Sequence, residues 1–437
     1  MNTIDTLLHA RWLVPVNGRQ RYLENHSIAI NDGRIIAIVP REAAEKEYNA
    51  RVCHDYAEHA LIPGLVNSHT HAAMNLLRGL ADDLALMDWL ENHIWPAEAK
   101  HVNEAFVQTG TELAVAEMLR SGTTCFNDMY FFPDISAHVA AEAGIRASIG
   151  LILIDFPTVW ANNSEEYINK GLAVYDHYKG HELIRTAFAP HAPYTVSDEP
   201  LQQVRTFADE LELGVHIHLH ETAFEVSEAE KNTGRRPLAR LAELGLLTPS
   251  LQAVHMTQLT ADEISLLADS GSHVIHCPKS NMKLASGICP VSRLLDAGIN
   301  VALGTDSSAS NNSLDMFSEM NAAALLAKVS NGDATALSAD QVLQMATLNG
   351  ARALGMEEIT GSLEVGKFAD IIAVNFATIE TQPVYDPVSH LVYCCSREQV
   401  SDVWIAGRPR LSNRVLIGID ENRLIQECRK ITEKITK

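Results

Sequence analysis

Hydrophobic and polar positions change their period twice along the chain. Near the amino end, SIAI and RIIAIV flank Asn31-Asp32-Gly33, two alternating or β-branched runs around a turn that favours positive φ, which predicts a β-hairpin. The carboxyl end has the same flavour in ADIIAVN (369–375), HLVYCC (390–395) and DVWIAGRPR (402–410), all read as strands. Two β-rich ends around a different middle predict one small sheet domain in which the termini meet. Between them, short apolar runs alternate with stretches such as NEAFVQTGTELAVAEMLRSG and LSADQVLQMATLNGARALG. In those stretches apolar residues recur every three or four positions, as on an amphipathic helix.

The apolar runs are LIPGLVNSHTH, TTCFND, ASIGLILID, IRTAFAPHA, GVHIHLHE, LQAVHMTQL, HVIHCPKS and NVALGTDSS. Eight strands alternating with helices fit a (β/α)8 barrel, and a doubly wound open sheet fits the alternation nearly as well. The polar residues favour the barrel. Most of the runs begin apolar and finish in His, Asp, Asn or Glu, and barrel enzymes carry their chemistry at the carboxyl ends of the strands.

Composition narrows the partners. With 437 residues, 46% of them hydrophobic, the chain can bury a large core, and 34 Lys and Arg against 55 Asp and Glu give a formal net charge of -21. Nucleic acid and anionic membrane both demand basic patches, so neither is expected as a partner. The cysteines (Cys53, Cys125, Cys277, Cys289, Cys394, Cys395 and Cys428) show neither a zinc-ribbon spacing nor a secreted disulfide framework, and no segment approaches the apolar length of a membrane span. The expectation is a cytoplasmic protein with free thiols.

The candidate chemistry lies at the ends of the runs. His69 and His71 flank one threonine, and in a strand alternate side chains share a face, so both imidazoles can address one metal ion. The fifth run holds His216, His218 and His220, followed by Glu221. The sixth reaches His255, the seventh contains His276 and the eighth ends at Asp306. Each alone has a plain structural reading, as a hydrogen-bonded core histidine or a capping aspartate. On successive strand ends of one barrel, they make a metal site the better account.

This set of residues resembles that of the amidohydrolase superfamily. Within it, LVNSHTHAAMNLLRG, PHAPYTVS, HLHET, HCPKSNMKLASG and GTDSSASNN look most like the nucleoside-type deaminases that act on 5'-methylthioadenosine and S-adenosylhomocysteine. The resemblance covers nearly the whole chain. It implies an α/β fold, a (β/α)8 TIM-type barrel over 62–365, with a small β-sandwich formed by 1–61 and by 366–437, the latter ending in a helix. It implies that His69, His71, His218 and Asp306 bind one divalent ion, most often zinc. His255 would touch the activated water or the substrate, and Glu221 would shuttle protons. The fourth run ends APHAPY, without the lysine that bridges two metals in binuclear relatives, so a single ion is expected.

The implied reaction is hydrolytic removal of the 6-amino group of an adenine nucleoside. Glu98 falls where the family binds ribose, His191 where it contacts the base, and Trp89 and Met74 could supply an apolar wall. Arg146 sits early on the third run, and the positions after it that should reach the mouth, Gly150, Leu151 and Ile154, carry no cation. A zwitterionic tail then gains little, which points to 5'-methylthioadenosine or adenosine ahead of S-adenosylhomocysteine. The roles of His276 and Arg146 stay open. So do deamination or dechlorination of guanine, cytosine, a pterin or an s-triazine, and a barrel that binds a ligand without turnover. Family members commonly pair, so a homodimer is an expectation that no surface stripe marks. GSLEVGKF (361–368) spells a phosphate loop, but Phe368 replaces the Ser or Thr that holds Mg²⁺ and a strand follows, so nucleoside triphosphate binding is rejected.

Overall fold

A computed structural model describes residues 1–436. It contains two eight-stranded sheets. The amino-terminal strands are β1 (Asn2–Leu13), β2 (Leu23–Asn31), β3 (Arg34–Pro40) and β4 (Tyr48–Pro63). The central strands are β5 (Leu65–Thr70), β6 (Thr123–Met129), β7 (Arg146–Leu153), β8 (Ile184–Pro190), β9 (Val215–Leu219), β10 (Leu251–His255), β11 (His273–His276) and β12 (Val301–Leu303). The carboxyl-terminal strands are β13 (Ile371–Asn375), β14 (Val400–Ile405), β15 (Arg408–Ser412) and β16 (Val415–Leu416).

Strands β5 to β12 run parallel in chain order with helices between them, as the eight apolar runs predicted. The two ends of this sheet meet. The seam is made by the Asp306 amide donating to His69 O (3.0 Å) and by Asn67, whose Oδ1 accepts the Thr305 amide (2.9 Å) and whose Nδ2 donates to Thr305 Oγ1 (2.8 Å). Approach here is close enough that a Cβ on Gly304 would lie 2.8 Å from His69 Cβ, so the glycine is a packing requirement. Closure of the barrel therefore presses Asp306 against the strand that carries His69.

The terminal strands form the second sheet, in the order β16-β15-β14-β13-β4-β1-β2-β3, around an apolar core that includes Leu8, Ile28, Ile30, Leu61, Ile371 and Trp404. The predicted hairpin joins β2 to β3 through Asp32 (φ 49°) and Gly33 (φ 75°), the positive pair that a tight two-residue turn requires. Two expectations need correction. HLVYCC is not a strand: Asp386 accepts the amides of Val388 and Ser389, Pro387 takes the first helical position, and the helix Pro387–Tyr393 follows. The stretch LSADQVLQMATLNGARALG is two helices, Ala339–Met345 and Leu348–Ala353, because Ala346 gives its carbonyl to the Val66 amide of β5 (2.8 Å). In the phosphate-loop lookalike, Lys367 donates to Glu357 O and to Ser362 Oγ (2.7 Å), which leaves its ammonium occupied within the loop.

Arg146, left open above, begins β7 at the end of the barrel opposite the strands' carboxyl termini. It is 1% exposed and its guanidinium pairs with Asp370 (2.9 and 3.2 Å), which also accepts from Thr360 Oγ1 (2.7 Å) and the Ala406 amide (2.7 Å). It ties the barrel's base to the terminal sheet and does not reach the mouth. Breaking a buried pair by removing one partner strands the other charge, so Arg146→Met should lower unfolding stability by about 3–5 kcal/mol. A shift of the urea midpoint with unchanged metal stoichiometry is the expected reading; an unshifted midpoint would contradict it.

Candidate active site

The parallel strands bring His69, His71, His218, His255 and Asp306 to one end of the barrel. The backbone there is unusual. His220, His255, Met256 and Asp306 have φ of 52°, 75°, 50° and 60°, a left-handed conformation that side-chain-bearing residues seldom adopt and that gathers at functional sites.

Each histidine is fixed by its Nδ1. That of His71 donates to Met129 O (2.5 Å) and that of His218 to His191 O (2.7 Å), while that of His69 faces His216 Nε2 (2.9 Å), so one proton is shared between these last two rings. All three Nε2 atoms then point at a common centre. His218 Nε2 is 3.2 Å from those of His69 and His71, and each of these is 3.3 Å from Asp306 Oδ1. Ligand atoms about 2.0–2.1 Å from a tetrahedral divalent ion stand about 3.3 Å apart. Lone pairs converging at this spacing repel unless a cation lies among them, so the donor set fits one ion.

The electrostatics of His69 and His218 agree, while His71, beside the Asp306 carboxylate, is shifted upward. Burial lowers His69 to about 4 and His218 well below its ordinary value, keeping both neutral and able to ligate. Burial acts against the Asp306 anion, yet the adjacent imidazoles of His69 and His71 hold its carboxyl well below the usual range. Its other oxygen accepts from Ser280 Oγ (2.6 Å) and Ser310 Oγ (2.9 Å), and the Ser307 amide reaches Oδ1 (2.7 Å). Glu221 is different: burial pushes its carboxyl up, and it has only Ser286 Oγ at 3.3 Å and His255 Nε2 at 3.7 Å. Two neighbouring carboxylates thus sit in environments that push their proton affinities apart, the usual mark of an acid and base pair.

A cavity of about 500 Å³ opens above these groups, within the range of small-molecule sites. His71, His191, His218, Glu221, His255 and Asp306 line it, as do Glu98, Trp89 and Met74. His191 is half-buried, lowered to about 3 by burial, with Nδ1 on Thr195 Oγ1 (3.0 Å). Glu98 lies on the helix Trp95–His101, directly after the π-helical turn Leu90–Ile94, and accepts from Tyr130 Oη (2.6 Å). His276 is not brought to the cavity: it is buried on β11, and its carbonyl accepts the Gly304 amide (3.0 Å).

Several site residues escaped the sequence reading. Tyr130 positions Glu98 from a separate element, and Asn281 Oδ1 faces His255 Nδ1 (2.8 Å). Ser280 and Ser310, which donate to Asp306, come from two short helices, Pro278–Lys283 and Ser308–Asn311, while His216, already a candidate of the fifth run, braces His69. The nearest signal was the cluster of small polar residues in HCPKSN and GTDSSASNN.

The amidohydrolase family model matches residues 60–410. A protein of Teredinibacter turnerae named 5-methylthioadenosine/S-adenosylhomocysteine deaminase is 51% identical over 99% of this chain and 98% of its own length. The crystal structure of an adenosine deaminase from Xanthomonas campestris with bound zinc is 50% identical, covers 100% of this chain and 99% of that one, and superposes with a TM-score of 0.99. An atrazine chlorohydrolase from Arthrobacter aurescens complexed with zinc, 22% identical, covers 98% of this chain and 100% of that one at a TM-score of 0.91, a likeness of fold alone. A family match spanning the whole barrel, joined to half-identity along nearly the full length, makes this chain a member of the amidohydrolase family.

Proposed function

We propose that the protein removes the 6-amino group of an adenine nucleoside hydrolytically, giving the inosine analogue and ammonia, with 5'-methylthioadenosine and adenosine as preferred substrates. The observation that carries this reading is the juxtaposition, in one cavity, of a zinc-fitting donor set and a buried Glu221 whose proton affinity is raised. The named deaminases of half-identical sequence support the same substrate class.

His69, His71, His218 and Asp306 would hold a divalent ion, and zinc, the metal bound in the Xanthomonas structure, would supply there the Lewis acidity that makes water a nucleophile near neutral pH. Asp306, kept ionised, takes a proton from the attacking water. Glu221, whose proton affinity burial raises, gives its proton to N1 of the adenine ring, which makes C6 electrophilic. A C–O bond forms at C6; Glu221 takes the remaining proton of the added oxygen and gives it to the amine, the C–N bond breaks, ammonia leaves as the C6 carbonyl forms, and the proton on Asp306 returns to Glu221. His255, fixed through Asn281, orients the oxygen being added. His191 contacts the base, and Trp89 closes the wall beside it. Conversion of the adenine chromophore of 5'-methylthioadenosine to hypoxanthine, followed by absorbance with metal-loaded protein, tests the reading; an unchanged spectrum would overturn it.

Glu98 binds both ribose hydroxyls, which are donors and need an ionised carboxylate. Burial raises its carboxyl to about 7, with Tyr130 partly offsetting this. Below pH 7 it is therefore protonated in the free protein and loses acceptor capacity, so KM for nucleosides should rise as pH falls through 7. In Glu98→Gln that acid limb should vanish with KM already high; an identical limb in the variant would assign it to another group.

Much of the remaining wall is apolar, formed by Phe131, Ile152, Ile154, Phe156 and Val159, and among the described residues no lysine or arginine lines the cavity. A thioether fits such a wall better than a zwitterion. With this reading goes a division of the chain in which the barrel, 62–365, carries the chemistry and 1–61 and 366–437 brace its base. A homodimer, read by sedimentation velocity, and a cytoplasmic location belong to the same proposal. All seven cysteines are free thiols, and among the described residues no helix is long and apolar enough to cross a membrane.

A further inference from the structure

Past β9 the chain turns through His220 in the left-handed region, passes Glu221 and enters the helix Ala223–Thr233. Thr222 caps that helix, accepting the Glu225 amide at 3.1 Å. In the common capping box the acidic side chain at this position returns to the amide of the cap residue itself. Glu225 reaches further back. One of its oxygens accepts the His220 amide (3.1 Å) and the other the Glu221 amide (2.7 Å). The carbonyls of the same two residues are held from the other side, His220 O by the Thr257 amide (3.0 Å) and Glu221 O by Thr257 Oγ1 (2.7 Å). Thr257 stands two residues beyond His255. The Glu221 side chain itself has only the long contacts to Ser286 and His255, so its place over the cavity is set through its backbone.

We propose that Glu225 is a positioning residue for deamination: its carboxylate clamps the two amides at the turn and so aims the Glu221 carboxyl at the substrate. This rests on the reading of Glu221 as the proton shuttle. Only a carboxylate meets the requirement, because both partners are donors. A glutamine would turn its own NH₂ against one of them, and an aspartate is a methylene shorter.

The chemistry offers a readout that a merely structural role would not move. An amine leaves C6 only after receiving a proton, whereas chloride leaves as the anion. Hydrolysis of 6-chloropurine riboside to inosine and chloride therefore asks one proton transfer fewer of Glu221 than deamination of adenosine.

The experiment compares metal-loaded wild type, Glu225→Gln and Glu225→Ala on both nucleosides, with zinc content and thermal midpoint recorded, and follows amide hydrogen exchange over residues 215–225. Deamination kcat should fall about 10–100-fold, the scale of a small misplacement near a reacting group. KM should stay within about threefold, as expected when only the transition state loses support. The loss should be smaller for the chloride, and the His220 and Glu221 amides should exchange faster in both variants. Equal losses on the two substrates, or unchanged kcat, would overturn the proposal. If wild type deaminates nothing, the functional reading fails, and exchange then decides the clamp separately: unchanged protection at His220 and Glu221 overturns it.

Discussion

Glu221→Gln should reduce ammonia release by about 10²- to 10⁴-fold, the range general acid–base catalysis supplies, while zinc content is unchanged. The amide has nearly the shape of the acid, so Ser286 and the cavity wall keep their contacts, and His255 stays fixed on Asn281. What disappears is a proton that can be given to N1 and regained for the leaving amine. Because Glu221 acts on the ring as its charge develops, the loss should fall on kcat with KM changed little. Stopped-flow and steady-state measurements of ammonia release check it. A variant within a few-fold of wild type would place the shuttle on another group.

The second large effect is expected at Asp306. In Asp306→Ala the ion should be held more than 100-fold less tightly, since changes to mere outer-shell partners already cost about 10–100-fold. Turnover should vanish even where zinc is forced in by excess, because the base that takes the water's proton has gone too. The hydroxyls of Ser280 and Ser310 and the Ser307 amide also lose their acceptor. Zinc-to-protein ratio after dialysis against a weak chelator gives the first readout and turnover in excess zinc the second. Full zinc retention with intact activity would contradict the donor set.

The eight barrel strands were legible because each is a buried parallel strand, and such strands read as short apolar runs whose polar residues are confined to their ends. Selecting among the histidines was harder. His216, His218 and His220 share one parity, so alternation alone places all three on the inner face. Only His218 meets the other donors: His216 sits one level deeper behind His69, and His220, past the strand end and in the left-handed region, turns to accept the Leu238 amide (3.0 Å). The resemblance separated them where spacing could not. Tyr130, Asn281 and Glu225 act through contacts between elements or across a turn, and nothing in their local sequence announces the partner. HLVYCC misled for a related reason, since so short an apolar run has no period, and the Asp386-Pro387 start that makes it a helix lies outside the run. Arg146, read early on the third run with its role open, is the first residue of β7 and so lies at the base, where its partner Asp370 comes from a segment the local sequence does not announce.

The most direct test of the account is ammonia release from 5'-methylthioadenosine, adenosine and S-adenosylhomocysteine, measured in parallel with protein carrying one zinc per chain. The account predicts rapid release from the first two, and a kcat/KM for S-adenosylhomocysteine below that for 5'-methylthioadenosine because the cavity offers its tail no cation. Equal efficiency on the two thioethers would contradict the substrate preference. Silence on all three, with zinc bound, would contradict the deamination of adenine nucleosides itself and turn the search to guanine, cytosine, pterins and triazines.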